Sequence, residues 1–301
     1  MNLLCLRFYV TGCTKKNLQG HIFFYIASKY LLMRVGVKSI VILVCFIISC
    51  TSSKYSATNK IYRQQVKSFA RQLRQAPLKD SFATNGPWVG TTNFGMRKPN
   101  FVIIHHTAQN SCDQTLQTFT LQRTEVSAHY VICRDGIVHH MLNDYLRAWH
   151  AGAGKWGNVT DVNSSSIGIE LDNNGTEVFT EPQVNSLLGL LGALKKQYNI
   201  PTANFIGHAD IAPTRKIDPS VFFPWKELAD HGFGIWYDDT THLTVPPDFS
   251  GIQALRIIGY DVKDSAAAIQ AFKRHFEQQD SSKVITEADK KILYNLSKKS
   301  E

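Results

Sequence analysis

Short apolar runs and amphipathic stretches alternate along most of the 301-residue chain. Phe101-Val102-Ile103-Ile104-His105-His106 is a continuous β-favouring run, the mark of a strand buried on both faces. Ser127–Cys133 reads as a second strand, Arg134-Asp135-Gly136 as a hairpin turn, and Ile137–Met141 as the returning partner. Ser166–Leu171 is a further strand, closed by the turn Asp172-Asn173-Asn174-Gly175. Glu181–Tyr198 carries Val184, Leu187, Leu188, Leu191 and Leu194 on one helical face, with Thr180 and Gln183 placed for a capping box. Leu116, Phe119 and Thr120 mark a shorter helix, and 53–84 a polar tether with a leading helix. Strands interleaved with helices give an α/β layer architecture. Past Trp236 the pattern breaks. Asp238–Asp248 reads as a linker, and Ile252, Leu255, Ile258, Ala268, Ile269, Phe272, Phe276, Ile292, Leu293 and Leu296 then define a separate three-helix unit.

Charge changes the picture only at the N-terminus. The formal net charge is +9, but residues 1–49 hold six Lys/Arg and no acidic residue; without them 27 basic residues face 24 acidic ones. No basic stripe remains to follow phosphates, so no nucleic-acid partner is expected. From Met33 the chain has the form of an export signal: Arg34 and Lys38, the short apolar run Ser39–Ile48, then Ser49-Cys50. This resembles a lipobox, with Cys50 as the lipidated residue, and residues 1–32 read as an over-extended start. Beyond Cys50 only Cys112 and Cys133 remain, and their spacing leaves pairing open.

Candidate chemistry gathers in 207–219. His208 and Asp218 lie ten residues apart, about 15 Å on a continuous helix, too far to share an ion. Pro213 and Pro219 argue for a loop, which can fold both onto one point. A catalytic zinc takes three protein ligands and keeps one open position. The third ligand is sought in Ile103–Ala108, where His105 and His106 face opposite sides of a strand and alternation cannot choose between them. Glu170, polar in an apolar strand, is placed to carry a proton to a leaving amine, and Lys216 to stabilise an oxyanion. Such a set fits amide hydrolysis.

Six segments in order resemble the zinc-dependent N-acetylmuramoyl-L-alanine amidases of type 2, relatives of the peptidoglycan recognition proteins. They are Ile104–Ala108, Val126–Tyr130, Arg134–Gly136, Ala148–Gly152, Ser166–Glu170 and His208–Pro219. The resemblance implies a central mixed β-sheet flanked by helices, with zinc on His105, His208 and Asp218. It further implies Glu170 and Lys216 as catalytic residues, and peptidoglycan or muropeptides as substrate. Trp149 and His150 are expected to line the glycan groove, and His106 to be a neighbour rather than a ligand. A catalytically silent peptidoglycan-recognition lipoprotein is the alternative, and the filled ligand positions speak against it. The last unit resembles a peptidoglycan-binding domain through Leu255–Asp261 and Ala268–Phe276. The expected organisation is a leader (1–49), a lipid-anchored tether (50–84), an amidase domain (85–237), a linker (238–248) and a binding domain (249–301). The expected state is a monomeric outer-membrane lipoprotein facing the periplasm.

Overall fold

The structure, a computed structural model, describes residues 54–74 and 91–300. The leader, Cys50 and the expected loop at Asn85-Gly86-Pro87 lie outside the described residues. The described residues 91–300 fall in one compact unit. Helix α1 (Ser56–Leu73) belongs to the other unit and is taken by itself: none of its residues is buried.

The sheet contains β1 (Phe101–His106), β2 (Tyr130–Ile132), β3 (Val138–His140), β4 (Ser166–Leu171) and β5 (Phe205–Gly207), in the order β3-β2-β4-β1-β5. β2, β4, β1 and β5 run parallel, and only the β2–β3 hairpin is antiparallel. Every residue of β1 is buried, as its unbroken apolar run requires of a central parallel strand. α2 (Cys112–Thr120) follows β1, and a disulfide from Cys112 to Cys133 ties its first turn to the end of β2. α3 (Val162–Ser165) leads directly into β4.

Strand alternation sorts the side chains onto two faces. Val102, Ile104, Ile167, Ile169, Leu171 and Phe205 share a core with Leu187, Leu191 and Leu194 of α4 (Glu181–Tyr198). Phe101, Ile103 and Ile206 point the other way, into a second cluster with Ala151, Val162 and Ile211. β4 therefore reads Ile-Ile-Leu on the α4 face and Ser166-Gly168-Glu170 on the other. The capping box at α4 is only half formed. Thr180 Oγ1 accepts from the Gln183 N–H, but the buried Gln183 amide instead donates to the carbonyls of Ile132 and Asp172. The Ile132 carbonyl also accepts from the Asp172 N–H at 2.9 Å, so the Gln183 amide ties together the ends of two strands that already pair there.

After α5 (His208–Ile211) and α6 (Trp225–Asp230), the last three helices are α7 (Gly251–Ile258), α8 (Ser265–Phe276) and α9 (Glu287–Ser300). They enclose their own apolar core, with Leu255, Phe272, Leu293 and Leu296 fully buried. The intervening polar segment does not leave this unit free. Trp225 stacks on His275 with centroids 3.9 Å apart, Trp156 packs edge-on against Tyr260 at 5.0 Å, and Gly157 N–H donates to the Gly259 carbonyl at 2.7 Å. A Cβ on Gly259 would lie 2.3 Å from the Trp156 ring, so only glycine fits this approach.

Candidate functional site

Sheet register assembles most of the site. His105 of β1 is the register partner of Glu170 of β4, and Ile104 pairs with Gly207 of β5, so His208 follows at the level of His105. Three adjacent parallel strands thus end on three polar side chains at one level, at the carboxyl end of the sheet. Segment 207–219 is not loop throughout: His208–Ile211 forms one helical turn before the chain bends back at Pro213. The turn stops at Ile211 because the ring of Pro213 disfavours the helical conformation at the residue before it, Ala212, which leaves the helix at φ −141° and ψ 54°. Ala209 N–H then donates to the Asp218 carbonyl at 2.7 Å and returns the carboxylate to the histidines.

Nδ1 of His105 lies 2.9 Å from Nδ1 of His208 and 3.1 Å from Oδ2 of Asp218. His208 Nδ1 lies 3.0 Å from the same oxygen. Around a tetrahedral zinc with bonds of about 2.0–2.1 Å, ligand atoms sit roughly 3.3 Å apart, close to this triangle. All three residues are buried, at 1%, 3% and 8% exposure.

Proton bookkeeping shows what the triangle is for. Ser166 Oγ donates to the Val162 carbonyl at 2.6 Å, so it accepts from His150 Nε2 at 3.2 Å. The other nitrogen of a neutral His150 is then an acceptor, and it takes the Nε2–H of His105 at 3.0 Å. His105 Nδ1 is left with a bare lone pair. His208 Nε2 lies 3.2 Å from the Ala151 carbonyl, which can only accept, so His208 Nδ1 is bare as well. Two lone pairs and a carboxylate oxygen converge with no proton between them, a donor set that could hold a metal cation. Burial above all holds His105 down at about 4, and burial holds His150 well below the ordinary imidazole range. Both rings are therefore neutral, as metal ligation and its backing hydrogen bond demand.

Glu170 Oε1 stands 4.0 Å from His105 Nδ1, with its side chain 12% exposed. Burial and then the Asp218 charge push its carboxyl up to about 8, with the Lys216 charge opposing. A carboxyl poised near neutrality suits a group that takes and returns a proton. Lys216 is half-buried, and its charge acts on both Glu170 and His105.

His106 turns to the α4 face, where its Nδ1 accepts from the Ser220 N–H at 3.0 Å, outside the triangle. Trp149 is 54% exposed. His150 departs from the expectation that it lines a glycan groove. It is 8% exposed and lies behind His105, because Gly168 opens a slot in β4 that the ring fills. The sequence reading missed the residues behind the ligands. Asn163 Oδ1 accepts from the N–H groups of both His150 and Ala151, at 3.0 and 2.9 Å, and so fixes the two acceptors that orient His105 and His208. The small-polar alternation Ser166-x-Gly168-x-Glu170 was the available signal for Ser166, whereas Asn163 left none.

Two histidines, an aspartate and a glutamate with a raised carboxyl gather at one end of a mixed sheet, the donor and acid–base groups of a hydrolytic site. Residues 95–221 match the N-acetylmuramoyl-L-alanine amidase family. N-acetylmuramoyl-L-alanine amidase AmiD of Escherichia coli is 33% identical over 206 residues, covering 58% of this chain and 74% of that protein. The 1,6-anhydro-N-acetylmuramyl-L-alanine amidase AmpD of the same organism is 41% identical over 103 residues, 34% of this chain and 56% of that one. Among solved structures, AmiD from E. coli in complex with the substrate anhydro-N-acetylmuramic acid-L-Ala-D-gamma-Glu-L-Lys superposes with a TM-score of 0.62 at 28% identity, covering 70% of this chain and 93% of that chain. AMPDH3 from Pseudomonas aeruginosa gives 0.62 at 28% identity, covering 74% and 98%. The chain belongs to the N-acetylmuramoyl-L-alanine amidase family.

Proposed function

We propose that this amidase is zinc-dependent and cuts the amide between the lactyl group of N-acetylmuramic acid and L-alanine, in peptidoglycan or muropeptides. The observation that carries the reading is the proton-free triangle of His105, His208 and Asp218, with Glu170 on the adjacent strand. These three residues would hold the ion. Bound there, zinc would polarise the scissile carbonyl and lower the pKa of a water toward about 7.

The chain's own groups do the rest. Glu170 accepts a proton from the attacking water as the hydroxyl adds to the lactyl carbonyl carbon. It returns that proton to the alanine nitrogen as the C–N bond breaks, leaving a carboxylic acid and a free amine. The Lys216 ammonium offsets the negative charge on the carbonyl oxygen, which is fullest in the transition state. Trp149, exposed beside the site, offers an apolar face to a sugar ring. The anhydromuramyl peptide in the E. coli AmiD complex supports a muropeptide substrate.

The cellular setting belongs to the same proposal. Cys50 is acylated, residues 1–49 are removed, the enzyme sits on the outer membrane facing the periplasm, and residues 249–301 hold it to peptidoglycan. The basic, apolar leader ending in Ser49-Cys50 supports the anchor. Zinc content of purified His208→Ala against wild type tests the metal assignment. We expect one zinc per wild-type chain and loss in the variant; full occupancy in the variant removes His208 as a ligand.

A further inference from the structure

Asp210 lies two residues past His208 and is 2% exposed. A buried carboxylate is stable only with donors on its oxygens. Asp210 has three. Its Oδ2 accepts from the Gly207 N–H at 2.8 Å and from His275 Nδ1 at 2.8 Å, and its Oδ1 accepts from the Tyr260 hydroxyl at 2.8 Å. The first donor is the residue joining β5 to α5. The other two come from the C-terminal helical unit, 50 and 65 residues further along.

Neither partner is loosely placed. The His275 ring is 5% exposed, stacked on Trp225, and Tyr260 is 2% exposed against Trp156. Gly207 is packed so closely that an added Cβ would stand 3.0 Å from both Trp225 and Pro219. The turn that Asp210 closes carries His208 and, through Ala209 N–H to the Asp218 carbonyl, fixes Asp218 as well. Two of the three ligand-bearing residues thus hang on one turn, and that turn is pinned from the C-terminal unit.

We infer that Tyr260 and His275 are positioning residues for the metal site: through Asp210 they hold the turn that presents His208 and Asp218, so the C-terminal unit completes the catalytic domain rather than only tethering it. This rests on the zinc reading above. Removing either donor leaves a buried carboxylate short of a partner, and the turn must shift to rehydrate it. Losing a hydrogen bond that orients ligands lowers metal affinity by about 10–100-fold.

The test is Zn2+ titration of the purified full chain against a competing fluorescent chelator, with thermal unfolding of the metal-free protein alongside. Tyr260→Phe keeps the ring and removes the donor; His275→Phe keeps the stack on Trp225 and removes the other. We expect affinity to fall about 10–100-fold in each. His275→Asn, which offers an amide near the Nδ1 position, should recover most of the loss. Lys299→Ala breaks the contacts of α9 to the Trp236 carbonyl and Asp238, at 2.9 and 2.7 Å, which involve neither the Asp210 turn nor its donors, and should leave affinity within twofold. A purely structural role would lower the unfolding temperature of Tyr260→Phe and His275→Phe at unchanged zinc affinity; that result overturns the inference and leaves the functional reading intact. An equal loss in Lys299→Ala also overturns it, by showing that any damage to the contacts of the C-terminal unit suffices. A wild-type chain that takes up no zinc brings down the functional reading and this inference together.

Discussion

Gly168→Ala tests whether the hydrogen bond behind His105 governs metal binding without touching any ligand. Gly168 sits on the site face of β4, and a Cβ there would stand 2.4 Å from Cγ, 2.6 Å from Cδ2 and 2.7 Å from Nδ1 of His150. Ordinary contact is about 3.5–4.0 Å, so the ring must retreat by about 1 Å. That retreat stretches the 3.0 Å bond between His105 Nε2 and His150 Nδ1 to about 4 Å, beyond hydrogen-bonding range. The fixed tautomer of His105 is lost with it. Overpacking should cost about 1–3 kcal/mol of stability, well within what a sheet of this size tolerates. Zinc affinity should fall by about 10–100-fold. The assay is chelator competition on protein whose circular dichroism is unchanged. A folded Gly168→Ala chain with wild-type affinity refutes the claim that His150 orients the ligand.

Three further outcomes are expected. Glu170→Gln and Lys216→Ala should both retain zinc yet lose turnover, the first by about 10²–10⁴-fold; near wild-type hydrolysis by Glu170→Gln would move the proton to another group. In metal-free protein Glu170 keeps its proton up to about 8, against 4.5 for the ordinary side chain, so the folded state binds more protons across that window and stability falls as pH rises through it; urea unfolding at pH 5, 7 and 9 should show a slope that Glu170→Gln flattens. Leu191→Ala empties a fully buried position between α4 and the sheet and should cost about 2–5 kcal/mol, read as a lowered urea midpoint with zinc content preserved once folded.

Much of this architecture was legible before any coordinates. β1, β4 and α4 begin and end where the patterns of Phe101–His106, Ser166–Leu171 and Glu181–Tyr198 put them, because each is long, strongly periodic and bounded by a turn or cap. The strands around the hairpin are shorter than their apolar runs, Tyr130–Ile132 and Val138–His140, since β2 pairs with β4 over three residues and β3 pairs only with those same three. Converging ligands could be foreseen because prolines break 207–219. The choice between His105 and His106 could not come from alternation; it depended on which face α4 covers. His150 was misplaced for a related reason. A histidine beside an exposed tryptophan in a glycine-containing loop looks like surface, and only the slot at Gly168, a tertiary feature, draws it inside. The Asp210 network was invisible for the same cause: its donors lie 50 and 65 residues away, and a polar linker between them reads as separation.

The central claim is that the His105/His208/Asp218 site, with Glu170, hydrolyses the lactyl–L-alanine amide. Mass analysis of products from a defined N-acetylmuramoyl-peptide, incubated with zinc-loaded wild type and with Glu170→Gln at matched zinc content, tests it most directly. The account predicts an intact stem peptide with a free L-alanine amine from the wild type, and almost none from the variant. Fragments cut within the stem peptide, or equal product from Glu170→Gln, would contradict it.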